Sequence, residues 1–552
     1  MGFEVKERDL LGRIGRLETK SGTIETPILL PVINPAKMTV EPKEMMERFG
    51  CKAVITNAYI VKKNLGDEAA ERGIHSILDF PMVIMTDSGA YQILLYGRVE
   101  TDPEEIILYQ EEIGSDIATI LDVPTGWRVT EEHARYTVEE TIRRAEALKE
   151  IKRREDILWV GPVQGGQHLE LVAYSARRMG SLPFQIHALG SPTPVMERYL
   201  FDVLVDMVMA AKGNLPPDRP LHLFGAGHPF MFALIVALGC DLFDSAAYSL
   251  YARSDRYMTE RGTIRLAKLD YLPCSCPVCS KRSPKDLSEM PKSERERELS
   301  LHNLYVCFSE MRRIKQAILE GRLWEHLEVR AHSHPSLLQA VRHLKRYSEH
   351  LVRHSPVTKR SGLFFYGDLS LIRPEVVRHR MRLLERYSPP EGARILVLLP
   401  EFWMNPPRRS RRHEVLARSV REELGEEAAW SLHICLYGVP FGVIPLEIRE
   451  VYPLSQYEVA LPPDLETETY AVERIVEYIE RMKYEGVIAV WEDCSFGRRV
   501  AEACNGLCAS LGIPFKGFQT TRGLTKGLVK SVVSALASFK KGVGPLYSRD
   551  SE

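Results

Sequence analysis

Met82-Val83-Ile84-Met85-Thr86-Asp87-Ser88-Gly89 is a short apolar run, rich in β-formers, that breaks off in an acid, a hydroxyl and a glycine. The pattern recurs along the first 250 residues. Eight runs read as strands: Ile28–Val32, Ala53–Asn57, Met82–Thr86, Ile117–Leu121, Leu158–Val163, Gln185–Leu189, Leu221–Phe224 and Asp241–Phe243. Amphipathic segments such as Pro103–Ile113, Glu131–Ile151, Leu169–Arg178 and Val195–Ala211 lie between most of them. Strands that alternate with helices are parallel and need crossover connections, so the class is α/β. A (β/α)8 barrel is expected in preference to a doubly wound open sheet because of the residues at the end of each strand. The runs end in Asn57, Asp87-Ser88-Gly89, Asp122, Gln164-Gly165-Gly166, Gly190-Ser191, Gly225-Ala226-Gly227 and Asp244-Ser245. In a barrel these tips meet on the C-terminal face, where such folds build their sites. A lone Asp after a strand is ordinarily a helix cap or a turn residue. Three after different strands, among glycines that allow close approach to a flat ligand, point to a site.

A second pattern comes after the eighth run. Cys274-x-Cys276-x-x-Cys279 is followed by His302 after 22 intervening residues. Three thiolates and an imidazole complete a tetrahedral zinc shell, leaving no open position for chemistry. A chance cluster of cysteines is the bland alternative. Pro273 and Pro277 shape a turn suited to a metal knuckle, and the amphipathic run Leu299–Leu319 is expected to carry His302 on its first turn. A structural zinc, one per chain, is therefore expected to hold this subdomain; such sites contribute roughly 10–16 kcal/mol in small peptides.

Beyond it the chain is helical and basic, with Arg342, Lys345, Arg346, Arg353, Lys359 and Arg360 facing only Glu349, and with His343, His350 and His354 alongside. Such a run is commonly a solvated helix face; RNA contact is the alternative. Ser388-Pro389-Pro390-Glu391-Gly392 reads as a linker. Strand-like Ile395–Leu399, Leu432–Leu436 and Val487–Val490, with helices between and an amphipathic helix from Leu524 to Phe539, predict a second α/β domain.

Composition narrows the function classes. A chain of 552 residues with 45% hydrophobic and 27% charged residues buries real cores and holds several domains. Ten cysteines are too few for a disulfide scaffold. With three on a metal, Cys51, Cys240, Cys307, Cys435, Cys494, Cys504 and Cys508 read as reduced thiols of a cytoplasmic protein. The opening MGFEVKERDLLGRIGRLE lacks the apolar core of a signal peptide, and no uncharged apolar stretch of about 18 residues is present to span a membrane. A net charge of −1 leaves nucleic acid to the local charge distribution.

At Asp87-Ser88-Gly89-Ala90-Tyr91-Gln92, Gly161-Pro162-Val163-Gln164-Gly165-Gly166, Phe243-Asp244-Ser245-Ala246-Ala247-Tyr248 and the zinc knuckle, the chain resembles tRNA-guanine transglycosylases. The closer resemblance is to their archaeal branch, which exchanges guanine 15 of tRNA for 7-cyano-7-deazaguanine on the way to archaeosine. It covers roughly residues 1–385 and takes in Gly225-Ala226-Gly227-His228-Pro229 and Val357-Thr358-Lys359-Arg360-Ser361. The resemblance implies Asp244 as nucleophile toward the ribose and Asp87 as general acid and base. It implies Asp122 and Gln164 as readers of the base edge, Gly190 as donor of a backbone N–H, Tyr91 as a stacking surface and Ser88 as a further substrate contact. Thr193 would meet the 7-substituent. tRNA, guanine, the deaza base and a second copy of the chain, in a homodimer, are the implied partners. The organisation expected is a catalytic barrel over 1–250, a zinc subdomain completing it over 251–330, a basic helical connector over 331–390 and the second α/β domain over 394–545.

That last domain does not look like an RNA-binding PUA domain. Through Gly442–Glu447 and Val451-Tyr452-Pro453 it resembles the core of archaeosine synthase, whose signature is Pro-Cys-x-x-x-Lys-Pro-Tyr-x-x-Ser-x-x-His. Pro400, Pro406, Ser410 and His413 keep the frame, but Glu401 and Asn405 replace the cysteine and the nitrile-attacking lysine. An asparagine amide forms no such adduct, so the domain is expected to be catalytically retired. Arg408, Arg409, Arg411 and Arg412 make its loop a candidate phosphate-binding surface, against the alternative of a solvated basic loop. A non-catalytic tRNA-binding scaffold, archaeosine synthase itself and a zinc hydrolase are the rivals. The three aspartates, the lost lysine and the closed metal shell argue against each in turn.

Overall fold

The computed structural model describes residues 2–90, 102–401, 412–521 and 524–542. The chain forms two compact units, residues 1–356 and 357–552.

The first unit opens with a three-stranded antiparallel sheet, β1 (Phe3–Asp9), β2 (Gly12–Thr19) and β3 (Gly22–Thr26), which the sequence reading did not anticipate. Charged residues (Glu4, Lys6, Glu7, Arg8, Arg16, Glu18) interrupt β1 and β2, so these strands lack the apolar runs that mark the next eight. These are β4 (Ile28–Ile33), β5 (Ala53–Asn57), β6 (Val83–Asp87), β7 (Ile117–Thr119), β8 (Leu158–Val163), β9 (Ile186–Leu189), β10 (Leu221–Leu223) and β11 (Leu242–Ser245). Each pairs in parallel with the next, and β11 pairs with β4. That closure makes the barrel and removes the open-sheet alternative. Strand limits differ from the predicted runs by a residue or two, at tips where the chain leaves the ladder.

Side-chain alternation fills the closed cylinder. Ala53 and Ile55, Val83 and Met85, Leu158 and Val160, Ile186 and Ala188, with Leu242, form one buried interior cluster. The intervening Val54 and Ile84 face outward into a second cluster that includes Ala58 and Val61 of the following helix. Both faces of the strands are buried, which is why the runs are continuously apolar. Each such side chain contributes roughly 1.5–3 kcal/mol. At the N-terminal end Arg13 of β2 holds Asp241, with Nε to Oδ1 at 2.9 Å, and the other Asp241 oxygen accepts from the Leu221 N–H at 2.9 Å. The antiparallel sheet is thereby tied to the foot of β10 and β11.

After the barrel come a hairpin, β12 (Arg256–Thr259) and β13 (Gly262–Arg265), the cysteine knuckle and the helix Lys292–Glu320. His302 lies well inside this helix, a correction to the expected first turn. The stretch Lys292–Glu298 has no apolar periodicity, but its charged residues are good helix formers and extend the helix N-terminally.

In the second unit the strands are β14 (Leu363–Phe365), β15 (Ile395–Pro400), β16 (Leu432–Gly438), β17 (Gly442–Pro445), β18 (Tyr457–Val459), β19 (Gly486–Glu492) and β20 (Phe515–Thr520). Five form an open sheet in the order β17-β16-β15-β19-β20, parallel except for β17. The three predicted strands are its centre. The two unanticipated ones, β17 and β20, are its edges. β17 is short and buried and ends in Pro445, while β20 mixes Lys516 and Gln519 with its aromatics, as an exposed edge does. The helices Pro374–Glu385, Leu465–Met482, Ser495–Leu511 and Lys526–Gly542 belong to this unit.

Candidate active site and metal centre

The alternation that fills the barrel also aims its tips. Extending the inward rows by two residues gives Asn57 after Ile55, Asp87 after Met85, Gln164 after Val160 and Pro162, Gly190 after Ala188, and Asp244 after Leu242. All sit at the C-terminal mouth. Asp122 follows β7 in the same layer.

Asp244 is 9% exposed. Its Oδ1 accepts from His222 Nε2 at 2.8 Å and from the Gly225 N–H at 3.1 Å. Its Oδ2 makes no hydrogen bond among the described residues, so one oxygen is fixed and the other is left toward the mouth. His222 is fully buried in β10, and its Nδ1 has no partner among the described residues. The Nε2 proton therefore defines the useful tautomer. His222 is a residue the sequence reading missed.

Asp87 accepts from Asn57 Nδ2 at 3.0 Å. Its carboxyl is pushed up to about 7, first by burial and then by repulsion from Asp122 and Asp244, against the N–H groups of Gly89 and Ser88. Asp122 is pushed up to about 6 by burial, opposed by its hydrogen bond from Gln164. Gln164 Nε2 donates to Asp122 Oδ2. Gln164 Oε1 accepts from the Thr125 N–H at 3.0 Å, Thr125 Oγ1 at 3.2 Å and Ser191 Oγ at 3.1 Å. Those three donors lock the carboxamide with its NH2 beside Asp122. The result is an acceptor and a donor side by side.

Gly190 needs a correction. Its N–H donates to Val163 O at 2.8 Å and is not free for a base. A Cβ at this position would lie 2.1 Å from Gln164 Nε2, so the glycine supplies room for the locked amide. The Ser88 hydroxyl is buried without a partner among the described residues. Thr193 opens the short helix Thr193–Glu197, and its Oγ1 lies 2.6 Å from where a Gly225 Cβ would be, next to the N–H that holds Asp244. Tyr91 falls outside the described residues, as do Asn405, Arg408, Arg409 and Arg411, and the side chain of Arg412.

The ligand atoms of Cys274, Cys276, Cys279 and His302 all lie within 4.8 Å of one another. His302 Nε2 bonds Met258 O at 2.8 Å, which turns Nδ1 toward the thiols, 3.5 Å from Cys276 Sγ and 3.3 Å from Cys279 Sγ. Tyr257 stacks on the imidazole at 3.7 Å and reaches Cys279 Sγ at 3.3 Å. Four soft and borderline donors with an oriented imidazole can hold a metal ion.

The basic segment is partly committed to the fold. His343 Nε2 and the Tyr347 hydroxyl bond Asp206 Oδ1 at 2.7 and 2.5 Å, with Arg346 3.6 Å from the other oxygen. In the second unit Lys359 is buried against Glu375 at 2.8 Å. No described helix is long and apolar enough to cross a membrane.

A family model described as queuine tRNA-ribosyltransferase matches residues 9–336, and one described as a domain of unknown function matches 376–513. Proteins named tRNA-guanine(15) transglycosylase are similar over most of the chain. The one from Methanocaldococcus jannaschii is 44% identical over 85% of this chain and 70% of its own length. Its counterpart from Pyrobaculum aerophilum is 46% identical over 83% and 90%. That from Methanothermobacter thermautotrophicus is 39% identical over 99% and 80%.

Proposed function

The chain belongs to the queuine tRNA-ribosyltransferase family, and on that premise we propose that it exchanges guanine 15 of archaeal tRNA for 7-cyano-7-deazaguanine. The observation that carries this reading is the asymmetry of the three carboxylates. Asp244 is held by two donors on one oxygen, whereas Asp87 is held near neutrality by burial and by its neighbours. Two acids with opposite duties need such different surroundings.

Asp244 Oδ2 attacks C1′ of nucleotide 15 as the bond from C1′ to the guanine ring nitrogen breaks. Protonated Asp87 gives its proton to the departing base. The ribose stays on Asp244 as an ester, and tRNA and enzyme are joined. The incoming base then returns its ring N–H proton to Asp87 while its nitrogen attacks C1′ and releases Asp244. Protons and charges balance over the cycle. His222 and the Gly225 N–H steady Oδ1 as the carboxylate forms and leaves the ester.

The locked pair of Asp122 and Gln164 fits a base edge that presents N–H donors beside a carbonyl, with Asp122 accepting and the second Gln164 N–H donating. A buried site of this kind rejects bases lacking those groups by large factors. Guanine and its 7-deaza analogue share the edge. Thr193 would meet the 7-substituent, Ser88 would be a further substrate contact, and Tyr91 would stack on the base. Nucleotide 15 must leave its stack to reach this depth.

The four-ligand centre fits zinc, one per chain, in a structural role that shapes the helix Lys292–Glu320 and the face for a homodimer. The second unit, with Glu401 and Asn405 where thiol and amine chemistry would be required, is non-catalytic and contributes to tRNA binding, with Arg408, Arg409, Arg411 and Arg412 as candidate phosphate contacts. A tRNA substrate and reduced cysteines fit the cytoplasm. Incubation with tRNA and radiolabelled guanine or 7-cyano-7-deazaguanine tests the reading: label enters tRNA at position 15, whereas a chain that binds tRNA and incorporates neither base is not this enzyme.

A further inference from the structure

The second unit contains a half-open cavity of ~360 Å³ between the helix Pro374–Glu385 and the segment Ile448–Leu454. Arg378, Arg382 and Arg386 line it at successive four-residue steps. Arg378 and Arg382 stand one turn apart on the helix and Arg386 follows its last residue, so three guanidinium groups share this cavity. Glu375 lies at one end, but its oxygens are engaged by Lys359 at 2.8 Å and Arg373 at 3.4 Å. Arg382 and Arg386 are exposed and make no ion pair among the described residues. Arg378 is 7% exposed, and its guanidinium is pushed down first by burial, with Arg382 beside it as a like charge. The local balance is strongly positive.

The remaining wall is not that of a simple anion hole. Tyr452, Tyr387, Ile448, Val451 and Leu454 give it an aromatic and apolar side. His379 also lines it, buried, with its Nε2 unpartnered among the described residues. Burial holds that imidazole down to about 4, so it is neutral, and its hydrogen bond goes to the Val443 backbone. A neutral ring that donates through one nitrogen presents the other as an acceptor. Guanidinium forks, an acceptor and an aromatic face are the groups that meet phosphate, ribose hydroxyl and base. A solvated charge run would explain exposed arginines, but it does not account for a buried imidazole nitrogen left without a partner among the described residues at the same cavity.

We propose that this cavity binds a single nucleotide unit of RNA, with its phosphate on Arg382 and Arg386 and its base against Tyr452. This site would give the second unit a located RNA contact, a reading that rests on tRNA being the substrate. The same chemistry fits a free nucleotide, so the test carries both ligands.

Arg382→Ala/Arg386→Ala in the full chain is compared with wild type for tRNA affinity over a salt series and for AMP binding by calorimetry. Both side chains are exposed and neither forms an ion pair among the described residues, and an unchanged melting midpoint confirms the fold. Loss of this one phosphate contact lowers the slope of log affinity against log salt by ~0.7–0.9 in total and weakens low-salt tRNA binding roughly tenfold. Turnover at saturating tRNA stays as in wild type. Tyr452→Ala weakens tRNA binding without changing the slope, because stacking releases no counterions. Lost AMP binding with intact tRNA binding identifies a free nucleotide as the occupant and overturns the RNA assignment. Unchanged binding of both ligands in the double variant overturns the site. A wild-type chain that binds tRNA here but exchanges no guanine would remove the transglycosylase reading and leave this site standing.

Discussion

The barrel mouth and the open sheet of the second unit are built from the same alternation of strand and helix, yet the barrel gathers three carboxylates whereas the sheet gathers a different set, His433 and Cys435 of β16 with Tyr484 and Glu447. In the barrel, parallel strands close on themselves, so residues as distant in sequence as Asp87, Asp122 and Asp244 share one pocket. In the sheet β17-β16-β15-β19-β20 the tips lie in a row, each strand displaced from the next by about 4.8 Å. Glu401, just past β15, accepts from the hydroxyl of Tyr457 at 2.5 Å. Closure, rather than alternation itself, concentrates charge where burial can separate the behaviour of two carboxyls. The open unit offers its basic cavity along a helix instead, a geometry for holding a ligand.

The comparison breaks first at Asp244. Asp244→Asn should lower base exchange by about 10⁴-fold or more while tRNA affinity stays near wild type, because a nucleophile is removed and no binding surface is lost. Retained exchange would move the chemistry out of the barrel mouth.

The metal centre gives the next largest effect. His302→Ala, or prolonged chelation, should release the bound ion and cost several kcal/mol of stability, seen as early unfolding around residues 256–320 in hydrogen exchange. Metal analysis of the purified protein should give one zinc per chain. A metal-free chain with unchanged melting and activity would contradict the structural role.

Asp87 tests the claim that burial holds an acid near neutrality. Its folded value of about 7 lies above the ordinary 3.8, so the ionised form is disfavoured by folding. Below about pH 4 the group is protonated folded or unfolded and costs nothing; the cost grows as pH rises toward 7 and is constant above it. Asp87→Asn should therefore raise stability at pH 8 by ~1–4 kcal/mol, leave it unchanged near pH 4, and abolish exchange. Equal gains at both pH values would show that the effect is packing rather than ionisation.

His222 acts through Asp244, so its removal should be milder. His222→Ala should lower kcat by roughly 10–100-fold, the scale of one or two lost charge-assisted hydrogen bonds, with KM for tRNA little changed. A matched rise in KM with constant kcat would instead mark His222 as part of the binding surface.

Much of this arrangement is readable from the chain because two signals are local. The cysteine spacing needs only a turn, and each barrel tip announces itself as an apolar run ending in Asp, Gln or Gly. What escaped depends on which face a strand residue takes. His222 reads as a lone histidine in a buried run, and only its neighbour on β11, two residues past the paired Leu242, makes it a partner of Asp244. Asn57 is visible as a tip but not as a donor to Asp87. The Gly190 N–H reads from sequence as a donor to a base, whereas Val163 at the tip of β8 already accepts it, a pairing fixed by the register between β8 and β9. The sheet of β1–β3 and the edge β20 escaped because charged and polar residues break their apolar runs, and β17 because it is only four residues long.

The central claim is that Asp244 alone forms the covalent link to ribose. Wild-type protein quenched in denaturant during turnover on tRNA, digested with nuclease and protease and analysed by mass spectrometry, tests it most directly. The account predicts one modified peptide, spanning Leu242–Arg253, carrying a ribose phosphate without its base on Asp244. Modification of Asp87 or Asp122, or turnover with no trapped adduct at any quench time, would contradict it.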